Sequence, residues 1–504
     1  MSDPAEPGVP SGPAAIRLHS VWHNWLSLAG ACLSASSLFA FVLLLALDLL
    51  GRGSGNPYLG LLCYVVTPGF LFLGAAMAGL GAWHQRCVRR RDPAAPRPHF
   101  AIDLGRPRDR RRLLWFALGT ASFLLVTAVG SYQTFVYTES NAFCGEACHS
   151  VMGPEYTAYH RSAHARVACV ECHVGSGAAS YLEAKLNGTH QLYDLVTGRY
   201  PRPIPTPVLT MRPASQTCEQ CHWPQKYSGS VERVAHRFLA DAGNTPITTR
   251  LLVNVGGGDP AHGPVGGIHW HMNLANKVEY YATDRQRQVL PWVRVTDAQG
   301  AVTTYRTAGF KGEPDPTRIR RMDCLDCHNR PAHQFQTAND AVDEAMDLGR
   351  IDPALPGVKR AAVDWLTRTY PTQAAGVAAV GRGLRAAYGA SPHGEAAAVA
   401  AVAIYRSNFF PEMKAEAGQY PDNIGHLDSA GCFRCHDGKH VADGSARRMP
   451  ATACDSCHTL LAQGAGAELA TLAPAGVAFR HPGGDVSGTG LTCSDCHNGK
   501  NQSN

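Results

Sequence analysis

Six times the sequence repeats Cys-x-x-Cys-His: at Cys169, Cys172 and His173; Cys218, Cys221 and His222; Cys324, Cys327 and His328; Cys432, Cys435 and His436; Cys454, Cys457 and His458; and Cys493, Cys496 and His497. A looser copy precedes them, in which three residues separate Cys144 from Cys148 before His149. Two thiols at this spacing capture the two vinyl groups of one porphyrin while the next imidazole takes an axial position on its iron, so the motif is a geometric requirement of covalently attached, c-type haem. The seven copies use fourteen of the seventeen cysteines. A single copy reads equally as chance or as half of a zinc site, but zinc sites do not place a histidine after every second cysteine and disulfides need none. The expected complement is therefore seven haems. Met152, three residues after His149, offers a thioether to the first iron or, more plainly, fills a gap.

All seven motifs follow three apolar stretches, 26–50, 58–83 and 113–136, each long enough for a helix of about 20 residues to cross a bilayer. Trp22, Trp25, Tyr58 and Trp83 sit near their ends, where amphipathic rings favour the membrane interface. Between Arg86 and Arg112 lie ten arginines and three aspartates, a local charge of +7, so the overall +6 leaves about −1 for the rest of the chain. That is no nucleic-acid-binding balance. A short basic loop stays in the cytoplasm, which puts the N-terminus inside and everything after residue 136 outside the inner membrane. The side on which c-type haem is attached gives the same orientation independently. The first stretch starts too late and runs too long for a cleaved signal peptide and reads as an anchor.

The expected architecture is a membrane-anchored multihaem cytochrome c: three transmembrane helices, then a haem-cored, mostly α or irregular periplasmic part with a small β insertion. Residues 1–24 form a cytoplasmic tail, 25–136 the helices with a basic loop at 84–112, 137–340 a tetrahaem domain, 341–415 a helical spacer and 416–504 a trihaem module. Short β-branched and aromatic runs separated by turn residues place the insertion at about 245–310. Alanine-rich runs broken at Pro353, Pro371 and Pro392 predict three or four amphipathic helices in the spacer, which serves as a brace or as a docking surface.

Of twenty-three histidines seven belong to motifs, and four, His19, His23, His84 and His99, fall on the cytoplasmic side, leaving twelve to supply second axial ligands. Nearness to a motif favours His164, His236, His333, His426 and His440, with His271 and His481 next. In GGIHWHM, His269 and His271 alternate; on a strand they point to opposite faces, so at most one meets a given haem, and His271 is preferred to a plain surface or core role.

The order FCGEACHSVM, YTAYHRSAH, then a second Cys-x-x-Cys-His, followed by KLNGTHQLY, CEQCHWPQKYSGSVERVAH and CLDCHNRPAHQF, resembles the NapC/NirT family of membrane-anchored quinol dehydrogenases over about 138–335. With seven motifs in place of the family's four, the chain is most similar to the seven-haem inner-membrane cytochromes of metal-reducing bacteria. The resemblance implies that the first haem takes electrons from menaquinol, with Met152 at or near its iron, and that His164, His236 and His333 occupy distal-ligand positions. It also implies a lysine and a carboxylate beside the quinol ring. Lys185 matches the lysine, and Gln191 stands where the carboxylate is expected.

Oxidising a quinol releases two protons as well as two electrons, so the site needs a proton acceptor. On a helix over 180–195, Glu183, His190 and Asp194 share one face and Lys185 lies on the other, which makes these four the candidate catalytic residues, or else a solvated charged face. The function read from all this is menaquinol oxidation, with electrons passing from the membrane quinol pool to periplasmic multihaem c-type cytochromes in anaerobic or extracellular respiration; a homo-oligomer is compatible with it. Two alternatives stand beside it, a terminal reductase of a small oxyanion and a non-enzymatic electron relay.

Overall fold

A computed structural model describes residues 24–50, 66–92, 105, 107–147, 149–175, 178–208, 211–257, 266–273, 275–389, 391–451, 454–484, 486 and 490–497. Two units result, Met1–Thr134 with Ser176–Glu183, and Phe135–Gly175 with Ala184–Asn504.

In the first unit, α1 (Trp25–Leu50) packs on α2 (Thr67–Arg91) through a seam of small residues. A Cβ on Gly30 would stand 2.4 Å from the Ala78 backbone nitrogen and one on Gly74 2.7 Å from the Gly30 carbonyl oxygen, so only glycine permits this approach. Ser27 Oγ donates to the Ala78 carbonyl at 3.0 Å across the seam. Phe39, Phe72, Leu80 and Trp83 are exposed on the outer faces. The third helix, α3, is Pro107–Thr138.

Three membrane spans were expected here, and the described residues do not support that count: among them no helix is long and apolar enough to cross a membrane. The sequence of α2 closes on HQRCVRRR and that of α3 opens on PRDRRR, and residues 58–65 of the second expected span lie outside the described residues.

In the second unit a π turn (Phe143–Ala147) leads into α4 (His149–His160) and the one-turn helix Cys169–His173; α5 (Ala178–Thr197) follows, belonging to this unit from Ala184 onward. Eight strands follow: β1 (Ser230–Phe238), β2 (Pro246–Asn254), β3 (Lys277–Tyr281), β4 (Trp292–Thr296), β5 (Val302–Thr307), β6 (Arg320–Arg321), β7 (His440–Ala442) and β8 (His458–Gly464). They form two antiparallel sheets, ordered β1-β2-β8 and β6-β3-β4-β5-β7. The strand-rich segment therefore begins before residue 245, and it does not stand alone: each sheet is completed by a strand from beyond residue 416. The larger sheet buries Val278, Tyr280, Val293 and Tyr305 against Met322, Met449 and Cys435 of the fifth motif.

Four helices, α6 (Ala338–Asp347), α7 (Val358–Leu366), α8 (Gln373–Tyr388) and α9 (Pro392–Asn408), enclose an aliphatic core of Val342, Ile351, Val358, Leu366, Val380 and Leu384. Thr337, Thr372 and Ser391 cap three of them, each side chain accepting a backbone N–H of the first turn. Pro392 is the first residue of α9, a position whose N–H needs no partner, so it starts the helix and does not break it.

Candidate haem-binding centres

Each of the six regular motif histidines faces one histidine from elsewhere in the chain. The pairs and their ring-centroid separations are His173 with His333 (6.1 Å), His222 with His164 (6.0 Å), His328 with His269 (6.5 Å), His436 with His271 (5.9 Å), His458 with His426 (6.1 Å) and His497 with His481 (6.4 Å). A histidine nitrogen binds a metal at about 2.0–2.1 Å, and a ring centroid lies about 1.1 Å behind its nitrogen, so two imidazoles on opposite sides of one metal stand roughly 6.3 Å apart. All six separations fit that figure. The interplanar angles run from 15° to 87°, as expected where each ring can turn about the axis it shares with its partner.

Hydrogen bonding fixes the rings. In five of the pairs at least one Nδ1 faces a backbone carbonyl: His164 that of Pro331 (3.1 Å), His333 Glu155 (3.1 Å), His269 Val255 (2.7 Å), His271 Ile268 (3.0 Å), His436 Pro450 (2.7 Å) and His497 Leu427 (2.9 Å). A donor bond from Nδ1 selects the tautomer whose Nε2 lone pair is free to ligate. Burial keeps several of these rings neutral, the form a metal needs: it pushes His173, His271 and His328 below the usual imidazole range, and lowers His333 to about 4 with help from the Arg330 charge. None of the described motif cysteines is in a disulfide. Among the described residues no group of three or more His, Cys, Asp or Glu side chains is arranged to hold a bare metal ion. Two axial imidazoles, with thiols beside one of them, fit an iron porphyrin.

Two favoured histidines stand elsewhere, and the physical reason is plain for each. His236 lies exposed on β1 with Nδ1 2.8 Å from Thr248 Oγ1. His440, fully buried on β7, has both nitrogens engaged, Nδ1 with Asp437 Oδ1 at 2.9 Å and Nε2 with the Leu290 carbonyl at 2.7 Å. His269 is the residue that sequence reasoning passed over. Residues Ile268–Met272 form a 3-10 turn and not a strand, so His269 and His271 are not confined to opposite faces of one sheet. The only signal for it was its place in the same GGIHWHM run.

Successive motifs are neighbours. The Cys144 and Cys169 thiols hydrogen-bond, and Cys218 and Cys221 are near enough for their charges to act on Cys172. His164, opposite the third motif, is held by Pro331, three residues past the fourth. Arg434, inside the fifth motif, donates to the carbonyl of Asp326, inside the fourth, at 2.7 Å. Phe433 of the fifth stacks on His426 of the sixth pair at 4.3 Å, and the carbonyl of the next residue, Leu427, holds His497 of the seventh.

The first motif differs. Cys144 sits in the π turn, while Cys148 and the His149 side chain lie outside the described residues. Gly145 is buried there, and Tyr156 packs so close that a Cβ would meet its ring at 2.1 Å. Met152 is half-buried in the first turn of α4.

Of the four candidate catalytic residues, all on α5, Lys185 turns to Glu139, forming a short ion pair, with Thr138 Oγ1 3.4 Å away. His190 instead pairs with Asp194 at 3.2 Å on an exposed surface, and Glu183 is exposed. The carboxylate beside the lysine is thus Glu139, unnoticed in the sequence, and not a residue near 191. Its side chain is 9% exposed, its Oε2 is buried without a hydrogen-bond partner, and its charge and that of Lys185 both reach the Cys144 thiol.

Residues 106–203 match the NapC/NirT cytochrome c family, N-terminal region. Over 493 residues, 94% of this chain and 95% of the relative, the sequence is 38% identical to cytochrome c-type protein ImcH of Geobacter sulfurreducens. No solved structure matches the chain. With opposed histidines at six motifs and a relative alike over nearly its whole length, the chain belongs to the NapC/NirT cytochrome c family and is an electron-transfer cytochrome.

Proposed function

We propose that this protein is a membrane-anchored heptahaem cytochrome c that oxidises menaquinol and delivers the electrons to periplasmic c-type cytochromes. The observation that carries the quinol reading is the Lys185–Glu139 pair beside Cys144 of the first motif. Seven pairs of thioethers would hold the haems; six of them would be ligated by the opposed histidines, and the first by His149 with Met152 as its candidate second ligand. Each haem, when bound, exchanges one electron. The protein's own contribution at the quinol is proton handling. Lys185 holds one carboxylate oxygen of Glu139 in place, and the unpartnered Oε2 is left to take the proton that a quinol hydroxyl releases on oxidation. The close succession of motifs supports a relay toward the C-terminal end. Two histidines at each of six sites leave no open coordination position there for an oxyanion, which disfavours a terminal reductase. The small-residue seam and exposed apolar faces of α1 and α2 support anchoring in the bacterial cytoplasmic membrane, with the haem-bearing part in the periplasm.

The test is anaerobic mixing of the detergent-solubilised protein with a menaquinol analogue, with haem reduction followed optically. Glu139→Gln and Lys185→Ala are each expected to slow reduction at least tenfold, and His190→Ala to leave it within about twofold, because general-base contributions run to roughly 10²–10⁴-fold. Reduction by a soluble reduced cytochrome but not by quinol would leave a simple relay and end the quinol reading.

A further inference from the structure

The turn Ile268–Met272 stands between β2 and β3, in the segment that interrupts the family-like stretch of the sequence. Two residues apart on it, His269 faces His328 of the fourth motif, rings nearly parallel at 15°, and His271 faces His436 of the fifth, rings nearly perpendicular at 87°. We propose that this single turn supplies the second axial ligands of two different haems, the fourth through His269 and the fifth through His271, and so joins the family-like haem group to the C-terminal one.

Four independent features fix the turn for that task. Gly267 caps it at φ +80°, where a Cβ would meet the Asn254 carbonyl oxygen at 2.3 Å, so the backbone can enter the turn only through glycine. Each ring has its own carbonyl, Val255 for His269 and Ile268 for His271. Tyr227, just past the third motif, stacks on His269 at 4.4 Å. Asn276 donates to the Trp270 carbonyl at 3.1 Å and closes the turn from below. The motifs served are themselves in contact, since Arg434 and Asn423 both donate to the Asp326 carbonyl. A turn that places two imidazoles this close can serve two irons only where the two motifs lie side by side, and here they do. His236 of β1, the ligand that nearness to the third motif favours, is engaged with Thr248 of β2 and, among the described residues, faces no motif histidine.

The inference rests on haem attachment and not on quinol oxidation, so its test uses no quinol. Full-length protein carrying His269→Leu, His271→Leu, both, or His236→Leu is compared with the parent by haem content and by the ferric spin-state spectrum. The parent is expected to show six low-spin bis-histidine haems. Each single variant should keep its haem content and convert one haem in seven to high spin, the double variant two, and His236→Leu none. If a leucine variant loses haem, His269→Met and His271→Met replace it: histidine–methionine ligation keeps the iron low-spin while raising one potential in a redox titration with dithionite. An unchanged spin-state spectrum with full haem content, unchanged potentials in both methionine variants, or a high-spin haem on His236→Leu would overturn the proposal.

Discussion

Asp326 lies inside the fourth motif with its side chain 1% exposed, and the structure ties four groups to its carboxylate. Tyr280 Oη donates to Oδ1 at 2.5 Å, Arg287 Nη1 at 3.1 Å and Arg320 Nε at 3.3 Å, while the Asp323 backbone N–H donates to Oδ2 at 2.8 Å. Burial and then the Asp326 charge push the Tyr280 hydroxyl well above its usual range, so that it stays a donor. Asp326→Asn keeps the shape but removes the charge and turns one oxygen into a donor that faces other donors. Hydrogen bonds to a buried charge contribute roughly 1.5–3 kcal/mol each, and breaking a buried ion pair costs about 3–5 kcal/mol. Arg287 and Arg320 retain 20% and 35% exposure and regain some hydration. A net loss of about 3 kcal/mol is expected, and at about 2 °C per kcal/mol for a unit of this size it lowers the denaturation midpoint by roughly 6 °C. The assay is thermal denaturation of the full-length protein at one scan rate, with haem content measured in parallel, since the same carboxylate closes the capping box of the one-turn helix Cys324–Cys327. Tyr280→Phe alone should lower the midpoint by about 2 °C. Because Tyr280 and the arginines share one oxygen, the double variant should fall short of the sum. A midpoint within 1 °C of the parent for Asp326→Asn, or strictly additive losses, would refute this account of the hub.

Other perturbations have equally definite outcomes. Lys359 Nζ lies 2.7 Å from Asp343 Oδ1 with side-chain exposures of 5% and 4%, so Lys359→Met should cost about 3–5 kcal/mol and Lys359→Met with Asp343→Leu should regain most of it, both read as denaturation midpoints. Burial already pushes the Asp343 carboxyl above its usual range while Lys359 pulls it back. Without the lysine the folded form binds the proton more tightly still than the unfolded chain does. Stability is then lost as pH rises through the raised value, and the Lys359→Met deficit should be larger at pH 8 than at pH 5. Gly145→Ala drives a methyl group into the Tyr156 ring and should lower the haem content by one in seven; adding Tyr156→Ala should restore it.

What the sequence determined by itself is the covalent chemistry, because Cys-x-x-Cys-His is complete within five residues and needs no distant partner to be recognised. The Thr337, Thr372 and Ser391 caps are local in the same sense, since a cap and the N–H it satisfies lie within one turn, but in the sequence only prolines marked the helix limits. Distal ligation is the opposite case. His333 faces a motif that lies 160 residues earlier and His164 one that lies 58 residues later, and nothing local marks either pairing. Nearness in sequence pointed equally to His440, but a strand carried that ring into a core where Asp437 and Leu290 take both its nitrogens. Alternation in GGIHWHM suggested a strand, and the cap at Gly267 made it a turn in which both histidines find partners. Glu139 reads in the sequence as one acid after an apolar helix, and only the approach of α5, bringing Lys185 from 46 residues away, makes it a buried half of an ion pair. The two sheets were half legible, because β1 to β5 are local runs, whereas β7 and β8 come from between the late motifs and join through backbone hydrogen bonds that any sequence can make. Local chemistry marks the cysteine motifs at which haem attachment is expected; the packing of distant segments decided which histidine faces each regular motif histidine and what stands beside Cys144.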